Sequence, residues 1–203
     1  MKFNGAKVKL SRKLGIALTA KAAKYMEKRP YGPGVHAAGG RQRRLSDYGA
    51  QLLEKQKLRY QYNVHERQMR NYYKAAAHMK GRTGDNLVLL LETRLDSMVL
   101  RAGLAPSIFA ARQAVGHGHV TVNGKKVDIP SFIVRTGDVI GWKPVSGQRD
   151  FAQNVKASGI KRVVPRWLDV NHDQLTGRVV SLPETGDIDV TVDTRLIVEF
   201  YSR

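Results

Sequence analysis

Asn123-Gly124 stands between two strand-like stretches, His119-Val120-Thr121-Val122 and Lys125-Lys126-Val127. A two-residue loop of this composition accepts positive φ at both positions, so it predicts a tight β-hairpin with a defined register. Two helices are predicted just upstream. Asp85 is placed to cap NLVLLLETRLDSMVLRAGL, a helix ending at Gly103 with Leu87, Leu91, Leu95 and Met98 or Val99 as its core stripe. Ser107 caps the second, IFAARQAV, which stops at Gly116. Phe109, Ala110 and Ala114 are expected to face inward there, with Arg112 and Gln113 off that face. Arg94 and Arg101, seven residues apart, project from nearly the same side of the first helix. Beyond the hairpin, Ser131 to Arg135 and Val139 to Trp142 are expected as short strands joined by the Gly137-Asp138 turn. The fold class is α+β.

Charge divides the rest of the chain. Of 35 Lys and Arg against 17 Asp and Glu, residues 1–82 hold 20 basic and 4 acidic side chains. Residues 94–166 hold 12 and 4, and the tail 167–203 reverses to 3 and 7. Two basic bodies thus precede an acidic end, and an excess of this size calls for a polyanionic partner. Residues 1–44, with RPYGPGVHAAGGRQRR, are read as a basic arm and loop carrying Arg41, Arg43 and Arg44. Residues 45–91 are read as a helical domain. Ser46 or Asp47 caps its first helix, Leu45, Tyr48 and Leu52 share a stripe, and Lys55, Lys57 and Arg59 lie on the solvent side. A break at Asn63-Val64-His65-Glu66 leads to a second helix, which carries Arg67 and Arg70. With Tyr60, Tyr62, Tyr72 and Tyr73 interleaved, this one-signed surface suits phosphate. Residues 92–155 form the third division. Residues 156–203 form a strand-rich tail in which TGRVVSL, IDVTVD and RLIVEFYSR all read as strands; it either extends the third division or packs back on the helical domain.

Other chemistries lack their parts. No apolar run approaches the roughly 20 residues that span a bilayer, and the basic start has no apolar stretch of the signal-peptide kind, so no membrane partner is expected. Zero cysteines remove disulfides, thiolate zinc sites and cysteine nucleophiles. His117 and His119 would need further ligands to hold a metal, and the nearest acid is Asp128 across the hairpin. No nucleophile or pocket is signalled for a catalytic pair. The glycine-rich stretch lacks the Gly-Lys-Ser/Thr of a nucleotide loop. Neither cofactor nor metal is expected. What remains is a compact cationic surface of Arg112, His117, His119 and Lys125, suited to a phosphate backbone.

RLDSMVLRAGLAPSIFAARQAVGHGHVTVNGKKVDIPSFIVRTGDVI resembles, almost throughout, the RNA-binding module named after ribosomal protein S-four. EKRPYGPG, RLSDYGAQLLEKQKLRYQYNVHERQMRNYY and LIVEFYSR resemble the flanks of the bacterial S-four family. The resemblance implies two helices on a small antiparallel sheet, preceded by a basic arm and a helical domain. It further implies a primary binder of small-subunit ribosomal RNA that holds a multi-helix junction of the 5′ domain early in assembly. Ribosomal protein S-five and other small-subunit proteins would be its partners, with a role in decoding accuracy, a place near messenger RNA where it enters the ribosome, and a cytoplasmic location. The positions matching the module's RNA face are Arg94, Arg101, Ser107, Arg112, Gln113, His117, His119, Asn123 and Lys125. Two departures stand out. Ile108 occupies a place where many relatives carry Arg, and the arm lacks the four cysteines with which many relatives bind zinc. Arg94-Leu95-Asp96 also mimics the Arg-Leu-Asp motif of pseudouridine synthases, which often carry this module. Inside a helix of the module, however, Asp96 is expected to serve as a local salt bridge or cap.

Overall fold

The first forty residues contain regular structure that their composition conceals. The computed structural model describes residues 3, 5–37, 45–147, 153, 164–184, 186–188 and 191–203. Within the stretch expected to be an arm, α1 (Lys7–Leu14) buries Leu10, Ser11 and Leu14 and ends at Gly15, whose φ of 72° suits glycine. In α2 (Ala20–Lys28) the Thr19 hydroxyl accepts the Ala22 N–H at 3.2 Å. Arg12 donates from Nε and Nη2 to the Tyr31 and Gly32 carbonyls at 3.0 and 2.9 Å, fixing the loop that follows. Two turns of α1 give too few apolar residues for the helical period to stand out from the lysines around them. Arg41, Arg43 and Arg44 lie outside the described residues.

Contacts divide the chain into two units, residues 1–87 with 190–203 and residues 88–189. In the first, α3 (Asp47–Gln61) starts from the Ser46 cap, which accepts the Gly49 N–H at 3.2 Å. Its buried stripe is Gln51, Lys55, Leu58 and Tyr62, whereas Leu45 and Tyr48 are exposed, so the expected stripe is the wrong one. Asn63, at φ 48°, breaks the helix before α4 (Glu66–His78), and His65 donates its backbone N–H to Gln68 Oε1. The ending RLIVEFYSR, expected as a strand, is a helix over Thr194–Ser202 capped by Asp193, and it buries Ile197.

This C-terminal helix explains why polar side chains of α3 turn inward. Gln51 donates to Glu199 at 2.9 Å, and the Lys55 ammonium sits 4.6 Å from the centre of the Phe200 ring. Lys55 also donates to Glu66 at 2.9 Å, where the Tyr201 hydroxyl arrives at the same distance. Burial works to raise the Glu66 carboxyl, but the bonds from Lys55 and Tyr201 and the charge of Arg59 outweigh it and hold Glu66 below its ordinary value. Burial and the bond to Glu66 push the Tyr201 phenol up.

In the second unit the single helix expected from Asp85 to Gly103 is two. Helix α5 (Thr83–Glu92) leads in from the first unit and stops, and α6 (Leu95–Arg101) begins after Arg94, whose ψ of 144° is extended. Apolar spacing runs on through this break, but the backbone finds other partners. Leu95 and Asp96 donate to the Phe132 and Pro130 carbonyls, Thr93 accepts from Val134, and Arg94 bridges to Ile133. Ser131 to Arg135 is therefore no sheet strand; it closes the helix break.

Helix α7 (Ile108–Gly116) has the expected Ser107 cap. It buries Ile108, Ala111, Ala114 and Val115, while Phe109 and Ala110 are only partly covered, which corrects the expected inward face. Strands β1 (Val120–Val122), β2 (Lys125–Lys126), β3 (Val139–Trp142), β4 (Leu168–Asn171) and β5 (Thr176–Val179) form one antiparallel sheet in the order β2-β1-β3-β5-β4. Its core joins Leu95, Met98 and Val99 of α6 and Ala111 and Val115 of α7 to Val120, Val122, Ile140 and Val179 of the sheet. Trp142 donates its ring N–H to the Leu104 carbonyl at 3.3 Å. Residues 156–203 thus divide: β4 and β5 lie in the sheet, and the last helix lies in the first unit. Residues 148–164, which the sequence reads as a short helix and a basic connector, lie outside the described residues except for 153 and 164.

Candidate nucleic-acid interface

Arg94-Leu95-Asp96 turns inward. Arg94 Nε and Nη2 donate to the two Asp96 oxygens at 2.9 and 2.6 Å, with both side chains fully buried. Arg112 Nη1 reaches the same carboxylate from α7 at 3.3 Å, its side chain 11% exposed. Burial pushes the Asp96 carboxyl up while the two guanidiniums pull against it. Arg101 forms a forked pair with the fully buried Glu92. Helix ends cannot lie far from solvent without such partners, and these five charges tie α5, α6 and α7 together. Of the positions matched to the module's outer face, Arg94 therefore lies inside it. Arg101 and Arg112 lie at its margin with their charge already engaged. The spacing of seven that put Arg94 and Arg101 on one side lost its meaning when the helix broke between them.

The exposed part of that face comes from the end of α7 and the hairpin. Gln113 and His117, one turn apart, are exposed, as are Asn123, Lys125 and Lys126. His117 ends α7, and its ring meets that of His119 edge-on at 5.9 Å. His119 in turn stacks on Trp142 at 6.1 Å with the planes 14° apart. His119 is thus set on the sheet's core tryptophan, and His117 meets His119 edge-on. Among the described residues no group of three or more His, Cys, Asp or Glu stands close enough to hold a metal ion. Ser107 is occupied as a cap.

Asn123 has a second duty. Its Oδ1 accepts the Val139 N–H at 2.9 Å, and its Nδ2 donates to Asp138 at 2.8 Å, clamping the hairpin turn to the turn before β3. Asn123 and Gly124 have φ of 50° and 75°, as the Asn-Gly pair predicts. Because nothing crowds a Cβ at Gly124, the objection to a side chain there is conformational. Gly124→Val is expected to cost on the order of 1–3 kcal/mol. Thermal melting of the free protein checks this, and an unchanged Tm would show that the turn tolerates a β-branched residue.

The first unit carries a separate basic surface. On α4, Arg67, Arg70, Lys74 and His78 are exposed at helical spacing, followed by Lys80 and Arg82. On α2, Lys21, Lys24 and Lys28 are exposed on one face, and on α1 Lys9 and Lys13. Lys55, expected on the solvent side, is instead buried on Glu66. Lys57 pairs with Glu54 at 2.6 Å, and Arg59 approaches Glu66 at 3.7 Å while covering the Tyr60 ring. Sequence reading named Arg67 and Arg70 but missed Lys74, Lys80, Arg82 and the lysines of α1 and α2. The spacing of Lys21, Lys24 and Lys28 behind the Thr19 cap is the signal that could have found the last group.

Each surface by itself has the form of a phosphate-binding one: in the first unit the cations stand on helices, and in the second they stand on a hairpin that follows the His117–His119 ring pair. Among the described residues, no helix is long and apolar enough to cross a membrane. Residues 2–92 match the family described as "Ribosomal protein S4/S9 N-terminal domain", and residues 93–140 match the S4 domain. The "Small ribosomal subunit protein uS4" of Chlorobium phaeovibrioides is 45% identical over 202 residues, spanning 100% of this chain and 99% of the relative. That of Roseiflexus castenholzii is 47% identical over 204 residues with the same coverage. That of Chloroflexus aurantiacus is 45% identical, again from end to end.

Proposed function

Because the chain belongs to the uS4 family of small-ribosomal-subunit proteins, we propose that it is a structural, RNA-binding component of the small subunit, acting in translation. The observation that carries this reading is 45–47% identity over alignments that span the whole chain, both units included, to relatives of one name. A shared module alone would leave several functions open; the module with both flanks does not. The charge supports it, since the chain carries a net +18 and, among the described residues, exposed Lys and Arg stand on α1, α2, α4 and the hairpin.

In finer terms, the protein binds small-subunit ribosomal RNA and organises a multi-helix junction of the 5′ domain early in assembly. It works with ribosomal protein S-five in decoding accuracy and lies close to messenger RNA where that enters the ribosome, in the cytoplasm. The divisions 1–44, 45–91 and 92–155 are its functional segments, and the division 156–203 contributes to both units. Gln113, His117, His119 and Lys125 meet the backbone directly on the module, with Arg112 and Arg101 at its margin. Arg67 and Arg70 do so on the helical domain, joined by Lys74, and Arg41, Arg43 and Arg44 contact RNA from the arm. Catalysis is not part of this reading, because the one motif that mimics an enzyme's, Arg94-Leu95-Asp96, is walled off inside the second unit.

The reading is tested by measuring affinity for a small-subunit ribosomal RNA transcript across a salt series. With about 8 to 10 phosphates neutralised, log affinity is expected to fall with log salt at a slope of roughly −6 to −9. A flat dependence would remove the basic surfaces from the interface. Sedimentation of the protein apart from small subunits in a sucrose gradient would overturn the assignment itself.

A further inference from the structure

Gly118 lies between His117 and His119 with a φ of 69°, where glycine is favoured. The space beside it is not empty. A Cβ built there would fall within van der Waals contact of Lys126 Cε, 3.0 Å from Nζ and 3.3 Å from Cδ. The stem of Lys126 therefore lies directly across the glycine backbone. Register explains why this lysine does so. Val122 pairs with Lys125 and Thr121 with Lys126, so strand alternation sends the two lysines to opposite faces of the sheet. Val122 faces the core, and Lys126 shares the face of the partly exposed Thr121.

We propose that Lys126 is a further RNA-phosphate contact, and that Gly118 is the cradle that sets its ammonium beside the His117–His119 ring pair. This inference rests on the RNA-binding reading of the module face. The cradle restrains a long side chain that would otherwise lose rotamer freedom on binding. The ammonium stays available, since its ion pair with Asp128 is long, at 3.7 Å, and both side chains are more than half exposed. An exposed pair of that kind is weak enough for a phosphate to displace. Gly118 thereby acts on RNA through Lys126, as a positioning residue.

The test is a double-mutant cycle on the full chain with a transcript of the small-subunit ribosomal RNA, measured at several salt concentrations. Lys126→Met is expected to weaken binding on the order of tenfold and to reduce the magnitude of the salt slope by about 1; Lys126→Arg should restore both. Gly118→Asn adds a Cβ on a residue that tolerates positive φ, so it displaces the lysine with least strain on the turn. It should weaken binding in the wild-type background and have no further effect when combined with Lys126→Met. Wild-type affinity and slope in Lys126→Met would overturn the contact. An equal loss from Gly118→Asn in both backgrounds would overturn the cradle and leave only backbone strain. Failure of the wild-type protein to bind the transcript would instead sink the function proposed above.

Discussion

Asp96→Ala should be the most damaging single substitution in the second unit. Removing the carboxylate takes from the fully buried Arg94 its paired hydrogen bonds to Asp96 and from Arg112 its contact with the same group. A guanidinium cannot shed its proton to escape, so the buried cation persists in the folded state. Breaking a buried ion pair from one side costs about 3–5 kcal/mol. For a chain of this length that is a Tm decrease of roughly 6–20 °C. Both tryptophans, Trp142 and Trp167, lie in this unit and are buried, so their fluorescence reports its unfolding directly. The double variant Arg94→Met, Asp96→Leu removes both charges together and should recover most of the loss, because an apolar pair of similar volume is often neutral there. If Asp96→Ala melted within about 1 kcal/mol of wild type, the cluster would not be holding α6 to α7. The same result would reopen the question of what the Arg-Leu-Asp motif does.

Ile197→Ala should have the largest effect in the first unit. Ile197 is fully buried in the C-terminal helix, which packs on α3 and α4 through Gln51–Glu199 and Tyr201–Glu66. Truncating a buried isoleucine costs about 2–5 kcal/mol, depending on how far the site collapses. The loss should appear as faster amide exchange along α3 and α4, while amides of residues 88–189 keep their protection. Unchanged exchange in α3 would show that the last nine residues are a passive appendage.

Such a result would bear on the least legible part of the chain. RLIVEFYSR has the β-branched and aromatic content of a strand, and its composition alone favours one. It is a helix because its apolar residues meet a face of α3 that only the fold assembles. The buried stripe of α3 was hidden for the same reason. Gln51 and Lys55 are poor core residues until Glu199 and Glu66 arrive from distant segments to satisfy them.

What the sequence by itself determined were the features whose causes are local. Asn-Gly sets its hairpin because both residues accept positive φ, and Ser46 and Ser107 start helices because a hydroxyl accepts an N–H three residues on. The α+β class and the family resemblance follow from patterns in the chain itself, and they agree with the fold and the relatives found. Only tertiary structure decided which charges reach solvent. Arg94 and Lys55 look like surface cations in the chain, yet each is buried on a carboxylate, Asp96 and Glu66. Lys126, absent from the residues matched by resemblance, is held in place by a glycine eight positions away. The break between α5 and α6 belongs here too, since the apolar period continues through it. It exists because backbone groups of residues 93–96 bond to residues 130–134, a pairing no local pattern records.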